Sequence, residues 1–195
     1  MWPGFHERAL GIAIDIGSTT IAGHLADLGS GEVLASAGVM NPQIRFGEDL
    51  MSRVSYAMLH EGGAGEMTRS VRAALAGLVK ELADRAGVPI ADIVEATFVG
   101  NPIMHHLALG LDPIPLGGAP FELATDRAVR LRARDIGLPG NTGARVYVLP
   151  CIAGHVGADT AGVILAEAPH AASGRRLVVD VGTNAEIVLA VDGRL

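Results

Sequence analysis

Two short stretches near opposite ends of the 195-residue chain carry the residue types best suited to chemistry. The first reads GIAIDIGSTTIAGHLADL and contains Asp15, Gly17, Ser18, Thr19 and Thr20. The second reads LVVDVGTNAEIVLAVDG and contains Asp180, Gly182, Thr183 and Asn184. Each is an apolar run ending in Asp-x-Gly-(Ser/Thr), then a small polar turn and a second apolar run. A strand that carries an aspartate to its end holds the carboxylate on rigid backbone. The glycine allows close approach of backbone to a ligand. Turn amides and the hydroxyls of Ser18, Thr19, Thr20 and Thr183 can then cradle phosphate oxygens. Bare carboxylates repel phosphate. Asp15 and Asp180 therefore make sense as holders of Mg2+ or its waters, since that ion keeps several waters and uses one or two carboxylates. One copy alone fits an ordinary hairpin turn equally well. Two copies in one chain favour a clamp around a phosphate-bearing ligand.

The elements that must position these residues follow from periodicity. Residues 10–16, 19–27 and 32–40 read as an antiparallel meander of three strands. A helix is expected from about Gly47, with Glu48 and Asp49 in its first turn, where the helix dipole favours acids. EGGAG reads as a loop. A second helix spans about 65–86, with Val71, Leu75, Leu78, Val79 and Leu82 at helical spacing and Gly87 as its stop. A short strand at 95–100 leads to a helix at 102–109 that opens with Pro102. Residues 111–144 read as an irregular excursion, with one edge strand hidden in AVRLRARD. A strand at 144–150, a helix at 157–168 and strands at 177–182 and 185–191 complete the order. Three antiparallel strands followed by strand–helix alternation is the RNase H-like α/β arrangement. The expectation is a mixed five-stranded sheet flanked by helices over residues 1–170. Residues 171–195 would begin a second such subdomain.

Composition narrows the chemistry. With 49% hydrophobic residues the chain can bury a sizeable core. A net charge of −6 and a pI near 5.6 argue against a general nucleic-acid surface. Lys80 is the sole lysine, which excludes a P-loop and a kinase-type strand lysine. Cys151 is the sole cysteine, which excludes a disulfide framework, an iron–sulfur cluster motif and a thiolate zinc site within these residues. No apolar stretch is long enough to span a bilayer, and MWPGFHERAL lacks a signal pattern. A cytoplasmic location without membrane or nucleic-acid partners is expected.

Six stretches resemble one family closely. They are AIDIGSTT, NPQIRFGEDLMSR, VGNPIMHHLALGLDP, PLGGAPF, VLPCIAGHVGAD and VDVGTNAEIVL, and they spread over most of the chain. The chain resembles the reductive activators of corrinoid proteins, within the acetate kinase, sugar kinase, heat-shock chaperone and actin superfamily. DIGSTT and DVGTNAE look like its two phosphate motifs. The resemblance implies the front half of an actin-like ATPase domain that binds Mg-ATP between two hairpins. It further implies ATP-supported reduction of a Co(II) corrinoid to Co(I), with a corrinoid protein of a methyltransferase system as partner. In that family a [2Fe-2S] ferredoxin domain stands upstream. By this resemblance the ferredoxin domain, linker and middle domain lie outside these residues, as does the adenosine half. The isolated chain is therefore expected to be inactive and to bind ATP weakly or not at all. Oligomeric state stays open, a homodimer included. A small-molecule kinase, an actin-type assembly protein and a half-domain that binds only protein are the alternatives.

Further positions carry two readings each. The superfamily resemblance gives Asp159 a role in orienting the attacking water, while its place near a helix start also suits capping. Asn101 follows a strand end, where α/β sheets gather ligands, and it equally suits the cap of the next helix. His155 stands two residues before Gly157 and can face the same cleft or serve only as a turn residue. His105 and His106 point about 100° apart on a helix, so they suit packing rather than one metal ion. Cys151, among apolar neighbours, is expected to be buried and inert.

Overall fold

The computed structural model describes residues 8–182 and 185–195; Thr183 and Asn184, named above, lie outside the described residues. Strand β1 (Leu10–Ile16) is the centre of the fold. Its alternate residues Leu10, Ile12, Ile14 and Ile16 are all buried, so one face is a β-branched and leucine stripe pressed into the core. The opposite face carries Gly11, Ala13 and Asp15. This period of two delivers Asp15 to the side away from the core at the strand's end.

β2 (Thr20–Asp27) pairs antiparallel with β1, and β3 (Val33–Met40) antiparallel with β2. Helix α1 (Leu50–Leu59) and helix α2 (Gly63–Ala86) then carry the chain across the core face. β4 (Ile93–Val99) returns parallel to β1 on its other side. Helix α3 (Pro102–Leu109) and the excursion follow. The excursion contributes β5 (Val129–Arg132), which pairs antiparallel with β6 (Arg145–Val148), itself parallel to β4. The sheet order is β3-β2-β1-β4-β6-β5. The mixed sheet thus has six strands, where five were expected. The sixth is the edge strand within AVRLRARD: Val129 and Leu131 pair with Val148 and Val146, while Arg130 and Arg132 alternate into solvent. Removing the inserted β5 leaves the RNase H-like order.

α2 forms the core's opposing layer. Met67, Val71, Leu75, Leu78, Val79 and Leu82 are fully buried at 3.6-residue spacing. Gly87 ends the helix in the left-handed region, and Val88 N–H closes back on Ala83 O at 3.1 Å. The boundaries differ from the sequence reading at two places. α2 starts at Gly63, inside the expected EGGAG loop: Gly62 takes the left-handed region as its cap, and Gly63 packs closely on the Tyr56 ring. α1 starts at Leu50 rather than near Gly47, because Asp49 adopts an extended cap conformation and its Oδ1 accepts the Ser52 N–H at 2.8 Å.

His105 and His106 are packing residues, both buried. His106 Nδ1 lies 2.7 Å from Pro102 O and Nε2 accepts the Ala124 N–H at 3.0 Å, tying the excursion to α3. Burial pushes His105 down to about 4, with the neighbouring His106 adding to the shift. Cys151 is buried, and burial pushes its thiol up to about 12, far from thiolate chemistry.

Helix α4 (Ala158–Glu167) leads to β7 (Arg175–Val181) and β8 (Ala185–Val191), which form a separate two-stranded antiparallel sheet. One face of this hairpin bears Leu177, Val179, Val181, Ile187 and Leu189, each between 48% and 76% exposed. Such a face is unusual on a two-stranded sheet, which is marginal alone. Among the described residues no helix is long and apolar enough to cross a membrane.

The contrast between buried sheet and bare hairpin predicts a contrast in tolerance. Ile187→Lys is expected to move Tm by less than about 2 °C, whereas Val71→Asp lowers it by more than about 10 °C. Thermal unfolding followed by circular dichroism checks both; a large loss in the first would mean that the hairpin face is covered.

Candidate functional site

The site is built where β1, β4, α4 and the hairpin converge. β1 and β4 run parallel with Asp15 opposite Val99, so the ends of both strands open at one level. Gly17 turns the chain into β2. A Cβ there would lie 2.4 Å from Thr20 O, so this turn has no room for any other residue. At the end of β4, Gly100 O accepts the N–H groups of Ala158 at 2.9 Å and Asp159 at 3.3 Å, which seats the start of α4 on the strand end. Gly157 permits this contact, since a Cβ would fall 2.6 Å from Asn101 Cα.

The result is an open cleft of about 280 Å³ lined by Asp15, Gly17, Ser18, Thr19, Thr20, Asn101, Asp159, Asp180, Gly182 and Glu186. Apart from His155, every site residue named from the sequence and described here is in that lining. Asn101 combines both of its readings: it lines the cleft, and its Oδ1 accepts the Met104 N–H at 3.0 Å as the cap of α3. Asp159 does not cap α4. The cap position belongs to Gly157, and Asp159 Oδ1 instead accepts the adjacent Thr160 N–H at 2.8 Å. Its carboxylate stays in the first turn, on the cleft side. His155 is elsewhere: it lines a neighbouring cavity of about 370 Å³, its ring 4.1 Å from that of Phe121. That cavity shares Asn101 and Glu186 with the carboxylate cleft.

Charge dominates the cleft. Asp15 keeps contact with solvent through the mouth, yet protein encloses it on its other sides. Burial pushes its carboxyl up to about 6, and the negative charges of Asp159 and Asp180 push in the same direction. Burial also raises Asp159, opposed by the Thr160 N–H and reinforced by Asp180. Glu186 is raised by burial, then by Asp159 and Asp180. Acids this crowded call for a cation or for protons. The hard oxygen donors suit Mg2+. Among the described residues, however, no three His, Cys, Asp or Glu side chains converge closely enough to enclose an ion.

Three residues of this region were not named from the sequence. Glu186 stands opposite Asp180 in the hairpin register and adds a fourth acid. Behind the Gly17–Thr19 turn are Asn41 and Arg53, both fully buried. Asn41 Nδ2 donates to Gly17 O at 2.8 Å, and the Asn41 N–H donates to Thr19 O at 2.8 Å. Arg53 donates to Ser18 O. The stretch NPQIRFGEDLMSR contains both, but only the fold shows which of its residues turn inward.

With this geometry in view, relatives are informative. A model of the family described as the RACo middle region matches residues 10–172. The chain belongs to this family. The corrinoid activation enzyme RamQ of Eubacterium limosum is 37% identical over 179 residues, covering 92% of this chain and 30% of that protein. A solved structure titled reductive activator for corrinoid, iron-sulfur protein superposes with a TM-score of 0.91 at 34% identity, over 94% of this chain and 29% of that one. The chain thus spans about three-tenths of the length of these relatives. The family match also corrects one sequence expectation. The middle region was expected outside these residues, and it is the part of the family that they match.

The raised Asp15 carboxyl gives a pH dependence with a defined sign. Its ordinary value is 3.8 and its folded value about 6, so between these limits the folded chain holds a proton that the unfolded chain has lost. Stability from this group therefore falls as pH rises through that window. Asp15→Asn removes the cost of ionisation. Its Tm is expected to exceed that of wild type at about pH 7.5, with the gain shrinking towards about pH 4. Scanning calorimetry across this range checks it; a gain independent of pH would contradict the assignment.

Proposed function

We propose that this chain is the phosphate-binding part of an ATP-dependent reductive activator of corrinoid proteins. One observation carries the reading: Asp15, Asp159 and Asp180 converge with the Gly17–Thr20 turn in a single cleft, in a chain of the RACo middle region family. The printed names of its relatives support the corrinoid part of the proposal.

In this reading the turn Gly17–Thr20 receives phosphate oxygens from one side and Gly182 from the other; Thr183 and Asn184 are proposed to contribute with it. Asp15 and Asp180 would hold a Mg2+ ion, which takes oxygen donors and uses one or two carboxylates. The ion supplies neutralisation of phosphate charge. Asp159 accepts a hydrogen bond from the attacking water and orients it in line with the γ-phosphate. Its raised proton affinity makes it a better acceptor than an ordinary aspartate. Asn101, fixed by its capping bond, donates its amide to the same ligand. Catalysis of this kind is positioning and charge neutralisation, without a covalent intermediate. In a longer protein that contains this chain, ATP turnover would support electron delivery from a [2Fe-2S] domain to a corrinoid partner. The bare apolar face of β7 and β8 supports a dependence on further protein, either the rest of that longer protein or a second copy.

Two outcomes test the proposal. The isolated chain is expected to bind Mg-ATP no more tightly than a millimolar Kd, read from 31P line broadening; micromolar affinity would contradict it. In a longer protein that contains this chain, Asp159→Asn is expected to lower kcat for ATP hydrolysis by about 10²-fold or more with little change in KM. An unchanged kcat would remove Asp159 from the reaction.

A further inference from the structure

We propose that Arg53 is a positioning residue for the phosphate turn, a buried cation that aims the Thr19 amide into the cleft and places fixed positive charge behind the turn. This rests on the phosphate-binding reading above.

Arg53 has no exposed surface, and all its hydrogen-bond partners are neutral. Nε donates to Gly47 O at 3.0 Å and Nη2 to Ser18 O at 2.5 Å. Nη1 reaches Met104 Sδ at 3.2 Å and Gln43 Oε1 at 3.5 Å. Among the described residues every ion pair within 4.0 Å involves other arginines. Asp49 acts on Arg53 only at longer range, because its carboxylate is engaged with Ser52. Burying an arginine without a counter-ion is costly, so natural proteins almost always pair it. Here the missing anion has a place to come from, on the far side of a single peptide turn.

The turn's backbone completes the argument. The carbonyls of Gly17, Ser18 and Thr19 are held from behind by Asn41 Nδ2, Arg53 Nη2 and the Asn41 N–H in succession. In a trans peptide the N–H of the next residue points opposite to the carbonyl. Drawing these oxygens inward therefore turns the following N–H groups outward, on the side where Ser18, Thr19 and Thr20 line the cleft. The cleft itself is acidic, with Asp15, Asp159, Asp180 and Glu186 in its wall. A polyphosphate needs positive potential to enter it, and the Arg53 charge is transmitted through one peptide group in a poorly screened interior. The ligand class is a polyphosphate ester or a free polyphosphate; the turn reads charge and oxygen geometry, not the group attached.

The test uses the 15N-labelled chain titrated with tripolyphosphate, pyrophosphate and orthophosphate, each with equimolar Mg2+, in wild type, R53Q and R53K. Tripolyphosphate is expected to shift the Ser18 and Thr19 amide signals of wild type. R53Q should weaken tripolyphosphate binding by about tenfold or more and orthophosphate binding by clearly less, while the remaining amide spectrum persists. R53K, which keeps the charge without the fork, should recover part of the affinity. Binding by folded R53Q within about twofold of wild type would overturn the proposal, as would an equal loss for all three ligands, the mark of mere loosening. If R53Q does not fold, R53K decides: altered Ser18 and Thr19 shifts with reduced affinity support the proposal, and wild-type behaviour overturns it. Absence of any binding by wild type would overturn the phosphate-binding reading, and this inference with it.

Discussion

The structure depends on β1 being hydrogen-bonded on both edges while buried along one face. Antiparallel pairing with β2 and parallel pairing with β4 leave this strand no freedom of register, because a one-residue slip would turn Leu10, Ile12, Ile14 and Ile16 to the wrong side. The same alternation that buries those four residues sends Asp15 to the opposite face. Core formation and placement of the carboxylate are one constraint. The parallel partner β4 then brings Gly100 and Asn101 level with Asp15, and Gly100 O seats α4, so Asp159 arrives by hydrogen bonding to the same strand end.

Against this rigid frame the cleft accumulates charge of one sign. Asp15 is raised by enclosure and by its acidic neighbours, and Asp159 and Glu186 shift in the same direction. A packed protein gains nothing from such crowding in the absence of a ligand. The four carboxylates come from four different elements, β1, α4, β7 and β8, so the crowding is a property of the fold's convergence and not of one local motif. The hairpin that delivers Asp180 and Glu186 is also the least covered part of the chain, with an exposed apolar face on its other side. Its charged face looks at the cleft and its apolar face at nothing described, which fits a chain that spans about three-tenths of its relatives.

Much of this was legible in the residues. The three-strand meander, the long amphipathic helix ended by Gly87 and the repeated Asp-x-Gly turns each have a local signal, in period, cap or turn chemistry. The sixth strand was legible only as an alternation of Arg with Val and Leu, since four residues at a sheet edge carry too little burial to stand out. Helix starts were misplaced by two or three residues, because Asp49 caps α1 through Ser52 and Gly62 caps α2 in the left-handed region. Asn41, Arg53 and Glu186 were not legible. A buried arginine has the same letter as an exposed one, and only three-dimensional packing turns it behind the phosphate turn. Asp159 was found, but its hydrogen bond to Thr160 in place of a cap depends on the seating of α4 on Gly100.

One metal–polyphosphate site is proposed to join the Gly17–Thr20 turn to Asp15, Asp159 and the hairpin. Paramagnetic Mn2+ in place of Mg2+ tests it most directly, by relaxation of the amide signals of the labelled chain with and without ATP. Mn2+ with ATP is expected to broaden Asp15, the Gly17–Thr20 turn, Asp159 and Asp180 first, and more strongly than Mn2+ alone. Broadening centred elsewhere, or unaffected by ATP, would contradict it.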